Sequence, residues 1–157
     1  MPPARVKRTR KGDYLLRLTA NERDVLRTLP GQLREMLTSG GASEDPGVQR
    51  LSPPAYLDDA ASSEEFDRLV RDDLVAQRMS AVDEMERTVD AERVNEDELT
   101  AWLGSINDLR LVLGTRLGVT EEMTPADLAR DDPRAASFAL YAFLSVLEED
   151  VVAALAG

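Results

Sequence analysis

From Thr19 onward, Val25, Leu26, Leu29, Leu33, Met36 and Leu37 recur at three- and four-residue intervals, the spacing that lines one face of a helix turning about 100° per residue. Thr19 and Glu22 stand three apart at its start, where a hydroxyl and a carboxylate can satisfy each other's backbone amides. A helix over residues 20–37 is expected, kinked at Pro30, which lacks an amide donor and crowds the preceding turn. Phe66, Leu69, Val70, Leu74, Met79, Val82, Met85 and Val89 form a slowly drifting stripe and predict a long helix over 63–91. Leu99, Trp102, Leu103, Ile106, Leu109, Leu113 and Leu117 share one face of a third helix over 96–117, opened by Asn95 to Glu98 and stopped at Gly118. Thr124-Pro125 starts a short helix at 125–130 and Asp132-Pro133 a last one at 133–155. Before all of these, alternating residues around Lys11-Gly12-Asp13 read as a β-hairpin over 5–18. Residues 38–62 concentrate Gly, Pro, Ser and Asp and read as a loop, with one helical turn around Pro46 to Leu51. The chain is thus expected to be mainly α, a single domain over 1–157 built as a bundle of about four major helices with a small N-terminal β-hairpin.

Charged residues interrupt two of these stripes. Arg110 falls among the apolar positions of the third helix, and Asp73 falls among Phe66, Leu69 and Val70. Because an unpaired buried charge costs several kcal/mol, the two are expected to meet, in a cluster extended by Gln77 and Asn107. The alternative use of Arg110 is to receive a ligand carboxylate in a small-ligand-binding or enzymatic domain centred on Arg110 and Asp73. Asp108 projects to the opposite side and is expected to be solvated or to cap something local, while Gly104 and Gly114 are expected where helices approach closely. Leu111 and Val112 leave the main stripe, and Leu140, Phe143, Leu144, Leu147 and Val151 make the last helix apolar round much of its girth. Such a surface predicts a two-fold homodimer packed through these residues. The competing arrangement buries the third helix as the centre of a single bundle.

Composition removes whole classes of chemistry. Among the 157 residues there is no cysteine and no histidine, so thiolate nucleophiles, zinc-thiolate sites and the commonest general base are missing. The lysines are Lys7 and Lys11, both in the polar N-terminal segment. No catalytic residues, no cofactor and no metal are expected, and the carboxylate clusters lack the spacing of a calcium loop. The net charge is −11, yet Arg5, Lys7, Arg8, Arg10, Lys11 and Arg17 face only Asp13 in residues 1–17. A body this acidic makes independent DNA binding unfavourable. Arg5, Lys7, Arg8, Arg10 and Lys11 read either as a solvated hairpin or as a docking patch for an acidic partner. With no apolar run long enough for a membrane span and no charged-then-apolar leader, a cytoplasmic location is expected.

The blocks "LRLTANERDVLRTLPGQLREML", "PPAY", "FDRLVRDDL" and "AWLGSINDLRLVLGTRLGVTEE" resemble the actinobacterial family known as domain of unknown function 2017 (DUF2017) along nearly the whole chain. The version here has Ser105-Ile106 before Asn107. The resemblance implies a cytosolic regulatory protein with no established reaction. Some relatives are described as oxidative-stress regulators that act through cysteine oxidation and an alternative sigma factor. This chain, lacking cysteine, departs from that mechanism. A second implication is a proteostasis accessory linked to the Clp protease. The expected function is a non-catalytic, regulatory protein-binding module.

Overall fold

The computed structural model describes residues 3–39, 46–49, 51, 60–118 and 133–157. Strands β1 (Val6–Arg8) and β2 (Tyr14–Leu16) pair antiparallel in the expected hairpin, with Val6 opposite Leu16 and Arg8 opposite Tyr14. Alternation turns Val6, Tyr14 and Leu16 into the core. The turn needs a left-handed residue, supplied by Gly12 at φ 92°. A third strand, β3 (Arg93–Val94), pairs with β2, so the hairpin is two-thirds of a sheet ordered β1-β2-β3.

Helix α1 (Ala20–Arg27) starts with the Thr19/Glu22 capping box anticipated from the sequence. The kink expected at Pro30 is instead a break two residues earlier. Thr28 closes α1 through its amide and hydroxyl on the Val25 carbonyl, 3.1 and 2.7 Å. A new helix, α2 (Leu29–Ser39), begins with Pro30 in its second position, where the missing amide has no intrahelical acceptor to lose. After the one-turn α3 (Pro46–Gln49) comes α4 (Ala60–Thr88), 29 residues and about 43 Å long. Asn95 and Glu98 cap α5 (Glu96–Leu117), which ends on Gly118 in the left-handed conformation at φ 62°. Helix α6 (Ala135–Ala156) closes the chain. The short helix expected over 125–130 and most of the loop expected over 38–62 lie outside the described residues.

Helix α5 is the centre: it packs on α4 and α6 along its length and on α2 and α3 at its sides, while β1 lies against α6. Its core residues Leu99, Trp102, Ile106, Leu109 and Val112 are at most 3% exposed. The Trp102 indole donates to Thr88 Oγ1 at 2.7 Å, which satisfies the polar atom of the largest core side chain. Arg23 ties α1 across to the end of α4 by donating to the carbonyls of Val89 and Ala91, 2.7 and 3.0 Å. Among the described residues no helix is long and apolar enough to cross a membrane.

Candidate interaction surfaces

Arg110 does not meet Asp73. Its Nε donates to Ser145 Oγ at 2.9 Å, its Nη1 pairs with Glu148, and its guanidinium lies 5.3 Å from the centre of the Tyr141 ring. Tyr141, Ser145 and Glu148 follow each other at helical spacing on α6, so one arginine side chain fastens α5 to a whole face of α6. Gly114 permits the approach, because a Cβ there would stand 3.2 Å from the Tyr141 ring. Gly104, expected to serve the same purpose, has nothing within 4 Å of its Cβ position.

Asp73 is exposed and accepts a hydrogen bond from Gln77 Nε2 at 3.1 Å. The reason lies in α4: Phe66 and Leu69 are 59% and 60% exposed, so the stripe that carries Asp73 faces solvent rather than α5. Of the four residues expected to cluster, Asp73 joins Gln77 and Arg110 joins Asn107. The second couple lines a shallow pocket of about 190 Å³ with Leu111, Gly114, Thr115 and Tyr141. With Glu148 already on the guanidinium, this pocket offers no uncommitted ion pair to a ligand carboxylate.

The buried ion pair involves a residue expected in solvent. Asp108 is 7% exposed and faces Arg78 of α4, Nε to Oδ2 3.5 Å. Burial pushes its carboxyl above the usual aspartate range, against the pull of the Arg78 guanidinium. Arg78 also donates to the Leu51 carbonyl, so one side chain holds the segment after α3 and the centre of α5. Ser105, a turn before Asp108, buries its Oγ without a hydrogen-bond partner among the described residues. Because α5 is enclosed on several sides, residues off its main stripe are buried as well, and Asp108 among them.

The N-terminal cations divide. Arg5 is spent within the chain: its amide donates to Asp150 Oδ2 at 2.9 Å, its Nε pairs with Glu22 at 2.6 Å, and its guanidinium lies over the Phe143 ring at 5.5 Å. Lys7, Arg8, Arg10 and Lys11 are exposed, with no ion-pair partner among the described residues.

The surface expected to join two copies is largely core. Val112, Leu144, Leu147 and Val151 are fully buried within one chain, and Leu111, Leu140 and Phe143 are half-buried. Enclosure of α5 by its neighbours covers what the sequence left looking surplus. Apolar surface remains elsewhere: on α4 at Phe66 and Leu69, on α6 at Val146 and Val152, and in a cleft of about 500 Å³ between α1 and α6. Among the described residues no three acidic side chains converge to hold a metal ion.

A family model described as a domain of unknown function, DUF2017, matches residues 2–155. Two proteins named oxidative stress regulator AosR, from Mycobacterium bovis and from Mycobacterium tuberculosis strain H37Rv, are each 32% identical over 130 residues, covering 72% of this chain and 59% of theirs. The match therefore spans less than two thirds of the length of those relatives. No solved structure matches the chain.

Proposed function

We propose, from the premise that this chain belongs to the DUF2017 family, that it is a non-catalytic regulator of the oxidative stress response that works by holding a protein partner. The observation that carries the reading is the similarity, over 72% of the chain, to proteins named oxidative stress regulators. Two structural features support it. Interior charges are matched within the chain, Arg110 by Glu148 and Asp108 by Arg78, which leaves them as fasteners between helices. What is left outward is surface suited to macromolecular contact, both cationic and apolar.

The partner class we favour is an alternative sigma factor, with the contact gated by something other than a thiol, since these 157 residues hold no cysteine. The pocket at Arg110, about 190 Å³, falls below the usual size of a ligand site and gives the enzymatic reading little support. Nothing in the geometry favours a Clp-linked accessory. Calorimetric titration of the purified chain into each alternative sigma factor of its host tests the proposal. We expect saturable binding to one of them, unchanged by peroxide or dithiothreitol; absence of binding to all of them removes this partner class.

A further inference from the structure

We propose that the outer half of α4 is the docking face for a basic amphipathic helix of a partner protein, seated on Phe66, Leu69 and Val70. This inference rests on the reading that the chain works by holding a protein partner, and it names both the face and the chemistry that fits it.

Phe66 and Leu69 are the two most exposed large apolar side chains among the described residues, and Val70 is exposed beside them. Positions i, i+3 and i+4 bring the three onto one stripe of the helix. A turn of about 100° per residue sets that stripe roughly 140° round the axis from Val82, Met85 and Val89, which α4 buries in the core. The stripe is therefore a second apolar face of α4, distinct from the one that packs on α5. The other large apolar side chains left exposed, Val25, Val146 and Val152, stand singly on α1 and α6.

From Glu64 to Asp73 every described side chain is exposed, so this half of the helix stands clear of the described body. A peptide of that length holds little helix on its own in water, and continuity with the packed half of α4 preforms the face. A partner that lands on it meets a surface already ordered, which lowers the cost of binding.

Charge selects the occupant. Glu65 and Asp72, two turns apart, border the stripe on the Leu69 side, and Asp73 continues it one turn beyond Leu69. Arg68 stands between Glu65 and Asp72, so three carboxylates to one cation adjoin the apolar residues, none of the four in an ion pair among the described residues. Glu64 and Arg71 project to the far side and offset each other. A second copy fits poorly: laid antiparallel about Leu69 it sets Glu65 against Asp73, and laid parallel it sets Asp73 on Asp73. An anionic membrane or a nucleic acid meets the same acids on a chain of net charge −11. A helix with apolar residues at i, i+3 and i+4 and lysine or arginine beside them matches both the stripe and its border.

The test is fluorescence anisotropy of the full chain with three labelled peptides: a helix with leucine at i, i+3, i+4 and i+7 and lysine alongside, the same helix with glutamate for lysine, and a scramble of the first that breaks the stripe. We expect saturable binding of the first alone, weakened by salt. We expect a loss of about tenfold or more on Phe66→Gln with Leu69→Gln, and on Glu65→Lys with Asp73→Lys, but none on Val146→Gln of α6. All five positions are exposed, so each variant should melt within about 4 °C of the unaltered chain. A larger fall for the Phe66 and Leu69 variant means that the chain itself covers the face, and overturns the proposal. So does a dimer, seen by light scattering, that this variant breaks, since the occupant is then a second copy. No saturation, equal binding of the scramble, or binding indifferent to both α4 variants overturns it too. Should a sigma factor bind the α4 variants as tightly as the unaltered chain, the partner reading stands and this site falls. Should no sigma factor bind while the basic helix binds as expected, the site stands and that partner class falls.

Discussion

Replacing Arg78 by methionine keeps the aliphatic stem but removes the guanidinium that faces Asp108. The carboxylate is 7% exposed and its partner lies 3.5 Å away. Breaking a buried pair from one side costs about 3–5 kcal/mol; the long separation and the partial exposure of Arg78 place this case near the lower end. Loss of the donor to the Leu51 carbonyl adds about 1 kcal/mol. The deficit has a pH signature. Burial raises the folded-state pKa of Asp108, and removing Arg78, the group that lowers it, raises it further. A raised folded-state value means that the folded protein holds the proton more tightly than the unfolded one. Stability is therefore lost as pH rises through the folded value and recovered on acidification towards the ordinary aspartate range. Carboxylates such as Glu22 and Glu98, held below their usual range, weaken both proteins alike in acid and cancel in the difference. Urea unfolding followed by the fluorescence of Trp102, the single tryptophan, reads the effect. We expect a deficit of about 4 kcal/mol at neutral pH, smaller near pH 5, and cut to about 1 kcal/mol by adding Asp108→Asn, which leaves only the lost Leu51 contact. A deficit below about 1 kcal/mol, or one constant across pH, would refute the buried pair as the cause.

Gly104→Ala should stabilise α5 by about 0.5–1 kcal/mol, since nothing lies within 4 Å of the new methyl, whereas Gly114→Ala should show no such gain because its methyl meets Tyr141 at 3.2 Å; thermal melts compare them. Thr88→Val removes the acceptor of the Trp102 indole and should cost about 1–3 kcal/mol in the same urea assay. Leu147→Glu places a charge at a fully buried position and should unfold the chain, while Leu140→Glu, half-buried, should keep its helical circular dichroism. Only the latter variant can report on self-association by light scattering.

Features determined by a few adjacent residues were legible in the sequence. Both capping boxes, Thr19 with Glu22 and Asn95 with Glu98, and the stop at Gly118 depend on local backbone chemistry, and the structure holds each of them. Strand β3 was not legible, because two residues carry no period and the strand exists only through its pairing with β2. The stripes gave phase but not partner. Asp73 and Arg110 each sit on an apolar face, yet the outer half of α4 faces solvent while Arg110 faces α6. Asp108 was misplaced for the converse reason: its face is covered by Arg78 of α4, a long-range contact that helical periodicity within α5 does not encode. The cleft between α1 and α6 arises from helices far apart in sequence, and only the exposure of Val25 reveals it.

We propose that this chain takes part in regulating the oxidative stress response, without thiol chemistry in these 157 residues. The most direct test is the transcript profile of the native host under peroxide, with the gene deleted and with the full chain restored. We expect deletion to change a defined set of peroxide-responsive transcripts and the cysteine-free chain to restore them. Identical profiles in the intact and deleted strains would contradict it.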